Sequence, residues 1–400
     1  MLHSGPVSIT GMGCVCAAGT NLQNTLRALE TGQRNPLPPS RFKSEHSRIF
    51  PVFEVAEHVC SKHGKPGADL SMTAHFALWA MEEALLQANL AVSDLHSRRV
   101  GVCIGTSVGA SLNLLDFYRA TRGGQTPELE PVHRYLNSNP AVALAHALGI
   151  NGPVQTVVNA CSSGADAIGL AASWIAQGIC DIVIAGGADE MSEVTYNGFI
   201  RLMISDQSPC RPFDKSRGGL NLGEGAGIVI LEDAASRELR NSPELATVLG
   251  YGTAADAHHL TAPHPQGLGL KLAISDALNA AGLTNADISF INAHGTGTAN
   301  NDTVEAVVLN ELFPQTPFIS TKGMTGHTLG AAGAIEAIFT MAHLTAGGIP
   351  ASAGFSEEDP ALNASPACVF TPVHGQAAIS QSLAFGGNNS VLVIGKGRPV

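Results

Sequence analysis

The sequence predicts an α/β protein built from two similar halves. Three observations carry this expectation. Short runs rich in β-branched and aliphatic residues alternate with longer runs whose apolar residues fall at helical spacing. The strand-like runs are apolar throughout, as strands buried on both faces are. The alternation then restarts after Glu244.

In the first half, Val7–Thr10 reads as a strand that stops at Gly11 and Gly13. Residues 73–89 read as a helix, Val100–Gly105 and Val154–Val158 as short buried strands, and Ala165–Gln177 as an Ala-rich helix. Asp181–Ala185 and Gly227–Leu231 are further strands. Residues 110–140 and 190–222 are rich in Gly, Pro and polar residues and read as insertions. The polar stretch Arg237–Glu244, which holds Pro243, marks the boundary and divides the chain into halves 1–245 and 246–400. In the second half, Ala246–Tyr251, Ile288–Asn292, Thr316–Ser320, Ala367–Thr371 and Val391–Gly395 are expected strands. Leu270–Ala281, Thr303–Leu312 and Ala331–Leu344 are expected helices. Each half thus has a βαβαβ rhythm.

Composition narrows the function. Only 14% of the 400 residues are charged, against 44% hydrophobic, so a large buried core is available. The net charge of −11 makes nucleic acid and anionic membranes poor partners, since both require a basic face. No apolar stretch such as Ala167–Ala176 reaches the roughly 20 residues of a membrane span. The first residues lack a basic segment followed by an apolar one, so no signal peptide is expected. The eight cysteines form no CxxC pair and read as free thiols of a reducing cytoplasm. There is no GxxxxGK[ST], and Gly295-Thr296-Gly297 does not begin a GxGxxG. His258, His259 and His264 lie near Asp256 without the spacing of a metal motif.

Three loops carry candidate chemistry. Cys161, in VNACSSGADAIG, sits between an expected strand and an expected helix. A sulfur there meets the positive end of the helix dipole and the free N–H groups of the first turn, which stabilise a thiolate. His294, in NAHGTGTANND, follows a strand, with the hydroxyls of Thr296 and Thr298 beside it. His327, in STKGMTGHTLGAAGAIE, also lies between strand and helix, five residues after Lys322. Strand ends are where sites collect in α/β folds. A glycine turn, FGGNN, precedes the last strand.

Together with RPFDKSRGGLNLGEGAG at 211–227 and the opening VSITGMG, these motifs resemble, in order and over nearly the whole chain, the β-ketoacyl-acyl-carrier-protein synthases I/II, condensing enzymes of the thiolase superfamily. The resemblance implies a thiolase-like fold in which the two βαβαβ halves form a five-layered αβαβα core. It implies a homodimer, or a heterodimer with a related subunit, and acyl carrier protein as partner. Cys161 would accept the acyl group, and His294 and His327 would bind the malonyl thioester carbonyl. Lys322 would support the histidines, paired with Glu336. Thr296 and Thr298 would touch the phosphopantetheine arm. Phe385 would act as a gate, its N–H joining that of Cys161 as an oxyanion hole, with Gly386 also at the substrate. Arg201 matches a carrier-docking position best, followed by Arg119, Arg122 and Arg134. The chemistry needs no cofactor or metal. Family members hold a structural monovalent cation, and the matching positions are Asn292, Glu305, Glu336, Ser380 and Asn389.

One loop departs. The family's NSFGFGG is QSLAFGG here, with Gln381, Leu383 and Ala384 in place of Asn, Phe and Gly, which leaves gate motion and acyl preference open. Two other readings stand beside condensation. One is a chain-length-factor-like partner subunit, though such subunits typically lack the cysteine. The other is a thiolase-like acyltransferase using coenzyme A, which would not decarboxylate malonyl thioesters. Fatty acid, polyene and polyketide pathways all use such chemistry.

Overall fold

A computed structural model describes residues 7–44, 46–56, 70–109 and 114–397. Cys60 and the first six residues lie outside them. The first half contributes five strands: β1 (Val7–Cys16), β2 (Val100–Gly105), β3 (Val154–Val157), β4 (Ile182–Asp189) and β5 (Gly225–Glu232). The second contributes β6 (Ala246–Ala255), β7 (Ile288–Asn292), β8 (Phe318–Ile319), β11 (Ala377–Ala384) and β12 (Asn388–Lys396). The short strands β9 (Gly348–Ile349) and β10 (Thr371–Pro372) pair separately.

The two halves have the same topology. The spatial order runs β3-β2-β4-β5-β1 and then β6-β12-β11-β7-β8. Counted within its own half, each sheet has the order third, second, fourth, fifth, first. The sense of pairing matches too: β2 is parallel to β3 and β4, as β7 is to β8 and β11, and the remaining pairs are antiparallel. The sheets join where Val7–Ile9 pairs with Ala246–Val248.

Helices complete five layers. Between the sheets lie α7 (Ser163–Ala176) and α13 (Ala332–Ala346), which pack on each other and on strands of both halves. Outside the first sheet lie α2 (Met72–Gln87) and α6 (Pro140–Leu148). Outside the second lie α10 (Leu268–Ala281) and α11 (Ala299–Leu312). The centre is aliphatic, with Ile168, Ile335, Ile338 and Phe339 fully enclosed. Each such side chain contributes about 1.5–3 kcal/mol by burial. The stretch Leu329–Ala346 is long and apolar enough to cross a membrane. It is 83% buried here, because it is the central helix and its approach.

Several expectations are corrected. Gly11 and Gly13 do not stop the first strand. A Cβ at Gly11 would lie 2.1 Å from the Ala84 carbonyl oxygen, and one at Gly13 would lie 1.9 Å from that of Ala80. These glycines let β1 run close beneath α2, and the strand continues to Cys16. Within residues 114–140 and 190–222, parts of the expected insertions, lie α4 (Leu115–Arg122), α5 (Glu130–Asn137) and α8 (Glu193–Arg201). Ala367–Thr371 is strand only from Thr371, because Ala367 bonds instead to Phe318 and Ser352 across a loop. Gln381, Leu383 and Ala384 lie on β11, with the turn confined to Phe385–Gly387.

Gly164 sets the distance between the halves. Its Cβ position lies 2.8 Å from the Gly330 carbonyl oxygen and 2.9 Å from Ala334 Cβ. Gly164→Ala should therefore force α7 from α13 and lower stability by about 1–3 kcal/mol, the usual range for overpacking, with a loss of activity larger than the loss of folded protein. Thermal unfolding and turnover measured on the same sample check this.

Candidate active site

The nucleophile candidate stands on a strained corner. Ala160 has φ +49°, a left-handed conformation uncommon outside glycine. Ser163 Oγ holds the corner by donating to the Ala160 carbonyl at 2.6 Å and accepting from the Asn159 N–H at 2.8 Å. Cys161 is thereby placed at the start of α7, facing the second half. The mirrored element there is the junction between β8 and α13, where His327 lies. The same topological position in each half thus supplies one member of a pair: Cys161 Sγ and His327 Nε2 are 3.0 Å apart. The His327 backbone is locked between Asn221 and Gly223, donating to the first at 2.8 Å and accepting from the second at 2.9 Å.

His294 stands at the end of β7, its ring 5.2 Å from that of His327 and nearly perpendicular to it. Glu305 on α11 fixes this loop, accepting the N–H groups of His294 at 2.7 Å and Gly295 at 2.6 Å. Lys322 Nζ lies 3.0 Å from His294 Nδ1 and 2.7 Å from the His294 carbonyl oxygen, and it is ion-paired with Glu336. An ammonium can only donate, so Nδ1 accepts and the His294 proton resides on Nε2.

Burial dominates the electrostatics. It pushes the Cys161 thiol up to about 12, against the opposing pull of the Lys322 charge and the Phe385 N–H directed at the sulfur. It holds both imidazoles well below the ordinary histidine value, aided by repulsion from Lys322. Burial also raises Glu336 to about 7, with Lys322 pulling the other way. The resting site is therefore a neutral thiol beside two neutral imidazoles.

A cavity of 380 Å³ opens onto these groups and is lined by Cys161, His294, Thr296, Thr298, His327 and Phe385, among others. The Thr296 and Thr298 hydroxyls are 2.9 Å apart on its wall. Gly386 is not among the residues that line the cavity, and its N–H donates to the Leu260 carbonyl at 2.8 Å. Arg201 is exposed at the end of α8. Sequence reasoning missed Phe199, which stacks on Phe385 at 5.6 Å and meets His327 edge-on at 6.4 Å. It also missed Asp189, whose buried carboxylate accepts N–H groups from Ser107, Gly109 and Gly330, joining loops of the two halves. Neither residue belongs to a sequence motif that marked it.

The cation positions fit in part. Asn292 Oδ1, Ser380 Oγ and Glu336 Oε2 are buried oxygens without a hydrogen-bond partner, as is Gln381 Oε1. Such hard oxygen donors suit a monovalent cation. Asn389 is turned away, its amide donating to Asp256, Ala254 and Gly387. Among the described residues, no three His, Cys, Asp or Glu side chains are grouped to hold a metal.

Family models match in chain order: "Beta-ketoacyl synthase, N-terminal domain" over residues 4–236 and "Beta-ketoacyl synthase, C-terminal domain" over 245–356. The chain belongs to the β-ketoacyl synthase family. It is 32% identical to the 3-oxoacyl-[acyl-carrier-protein] synthase 2 of Synechocystis sp., over 98% of each chain. The solved ishigamide ketosynthase/chain length factor is 31% identical with a TM-score of 0.91, covering 98% of this chain and 99% of that one. A chain of the solved complex of a ketosynthase with its chain length factor from Xenorhabdus doucetiae is 33% identical with a TM-score of 0.85, over 98% of each chain.

Two predictions follow from the buried charges. Lys322→Met leaves Glu336 without its ion-pair partner and should cost about 3–5 kcal/mol. Lys322→Met with Glu336→Leu should recover most of that stability, but not activity, because the His294 tautomer loses its donor. Denaturant unfolding with a malonyl-decarboxylation assay separates the two effects. Because both imidazoles titrate well below about 6.5, the ordinary histidine value, they stay neutral as pH falls through that value. The imidazoles should therefore add no inflection to decarboxylation between about pH 8 and about pH 6. One near 7 belongs to the buried carboxyls Glu336 and Glu305, both raised by burial to about 7. An inflection near about 6.5 that persists when both carboxyls are replaced by amides would place a charged imidazole in the mechanism.

Proposed function

We propose that this synthase performs a decarboxylative Claisen condensation, with Cys161 as nucleophile and His294 and His327 as the enolate-stabilising pair. The observation that carries the reading is the 3.0 Å contact between Cys161 Sγ and His327 Nε2, made between two halves at a buried site that opens onto a cavity. Cys161 attacks the thioester of an acyl group borne on acyl carrier protein. The carbon–sulfur bond to the pantetheine breaks, and the Cys161 proton ends on the departing sulfur, with His327 within reach to relay it. The N–H groups of Phe385 and Cys161 would receive the oxyanion.

Malonyl carrier protein then occupies the arm site beside Thr296 and Thr298. Its carboxylate leaves as CO₂, and the electron pair becomes an enolate. Negative charge on the thioester oxygen would be met by the Nε2–H of His294, whose tautomer Lys322 fixes, and by His327. The carbanion attacks the acyl carbon, a carbon–carbon bond forms, and Cys161 leaves and regains a proton. The decarboxylation itself supplies the carbanion. A monovalent cation at Asn292, Glu336, Ser380 and Gln381 would offset the buried carboxylates Glu305 and Glu336.

The domain units of this reading are 1–245, carrying the cysteine, and 246–400, carrying both histidines. The protein works in the cytoplasm, where its thiols stay free, as a homodimer or as the condensing member of a heterodimer. Retention of Cys161 opposite His327 favours the condensing role over that of a non-elongating partner.

Cys161→Ala should abolish acylation and condensation while malonyl decarboxylation survives, as intact-protein mass spectrometry and CO₂ release will read. His294→Ala should slow decarboxylation far more than acylation, by about 10²–10³-fold for loss of one oxyanion donor. Equal loss of both steps would count against the enolate role.

A further inference from the structure

Each half opens its sheet with the same device. Gly11-Met12-Gly13 stands on β1 and Gly250-Tyr251-Gly252 on β6. Gly250 and Gly252 lie as close to α10 as Gly11 and Gly13 do to α2: a Cβ on either would stand 2.1 Å from a carbonyl oxygen, that of Ala277 or of Ala273. Successive residues of a strand face opposite sides, so Met12 and Tyr251 point away from the outer helices and into the layer between the sheets. There Met12 joins the apolar core, while Tyr251 meets α7. Its ring lies over Gly169, where a Cβ would stand 2.3 Å from the ring's Cγ. Its hydroxyl donates to Asp166 Oδ1 at 2.8 Å. Burial, together with the Asp166 charge, pushes the phenol well above its ordinary value, so the proton stays on the oxygen. The other oxygen of the buried Asp166, Oδ2, accepts the Asn159 side-chain amide at 2.7 Å and lies 2.8 Å from Ser162 Oγ. Asn159 and Ser162 bracket Ala160 and Cys161, and the left-handed φ of Ala160 is a strain that its surroundings must hold. A chain of contacts thus runs from the first strand of the second half, through one carboxylate, to both sides of the nucleophile candidate.

The mirrored positions show that packing alone does not call for these polar groups. Gly164 and Gly330, which lie against each other, stand three residues after Cys161 and His327 respectively. Counted on from them, Ala332 stands where Asp166 does, and Ile335 where Gly169 does. Met12 stands where Tyr251 does, and all three of these counterparts are buried and apolar. The helix that carries the cysteine has the polar set, and its mirror has an apolar one. Apolar residues fill the mirrored positions, so the difference follows the chemistry of the two loops: a strained corner with a thiol on one side, an imidazole on the other.

We infer that Tyr251 is a positioning residue for the acylation of Cys161, holding the corner at residues 159–162 through Asp166. This rests on the reading that Cys161 takes its acyl group from a carrier protein. It concerns that step and not decarboxylation, which the same reading gives to His294 and His327. Tyr251→Phe keeps the ring on Gly169 and removes one donor. Rapid-quench mass spectrometry with hexanoyl carrier protein should show the maximal rate of Cys161 acylation falling about 10- to 100-fold, the scale set by a misplaced reacting group. The half-saturating carrier concentration should stay unchanged. Release of CO₂ from malonyl carrier protein, corrected for the folded fraction, should change less than about twofold. In an Asp166→Asn background Tyr251→Phe should lower acylation by less than about a further twofold, because it acts through that carboxylate. Asn159→Ala, which cuts the same chain nearer the cysteine, should show the same split between the two half-reactions, so the test does not hang on the stability of one variant. An unaltered acylation rate in Tyr251→Phe, equal loss of both half-reactions, or full additivity with Asp166→Asn would overturn the assignment. Absence of acyl transfer to Cys161 in the wild type would overturn the condensation reading instead.

Discussion

The site depends on one packing constraint: the two central helices must meet closely at their N-terminal ends. Cys161 opens α7 and His327 opens the approach to α13, each after the third strand of its half. At this site the thiol and the imidazole beside it come from different halves. The pair exists because Gly164 lets one loop lie against Gly330 of the other. Asp189 secures the same junction by gathering N–H groups from both halves onto one buried carboxylate. Duplicated topology thus becomes an asymmetric site, with a thiol from one half and two imidazoles from the other.

That junction is buried, and burial decides the charges. Burial keeps the thiol and both imidazoles neutral at rest, so charge appears only as bonds change. The buried cation at the site, Lys322, is balanced by Glu336 and spends its hydrogen bonds on His294. It fixes a tautomer from behind the ring, so that the His294 proton resides on Nε2. A neutral donor in a low-dielectric cavity meets a growing enolate charge without first surrendering a counter-ion.

Much of this was legible in the sequence, because its main devices are local. Strands buried on both faces read as apolar runs, and loops at strand ends read as small and polar residues around Cys161, His294 and His327. What was hidden is long-range. Gly11 and Gly13 resemble breakers until Ala80 and Ala84 of α2 are seen above them. The strand β11 carries Ser380, Gln381 and Ser382 buried in its middle, which erases the apolar pattern. Gln381 has its own task, donating to Glu305 at 2.6 Å and so supporting the carboxylate that holds the His294 loop. Phe199 lies in a segment that read as an insertion, and its stacking on Phe385 needs the folded chain.

In the proposed reaction the acyl group waits on Cys161 until decarboxylation next to it releases a carbanion. A single-turnover chase measures this directly: load the enzyme with hexanoyl carrier protein, isolate it, and follow its intact mass and CO₂ release on adding malonyl carrier protein. The account predicts one hexanoyl group on Cys161, lost in step with one CO₂ and with the appearance of β-ketoacyl carrier protein. Release of CO₂ while the hexanoyl group stays in place, or acylation at another residue, would contradict it.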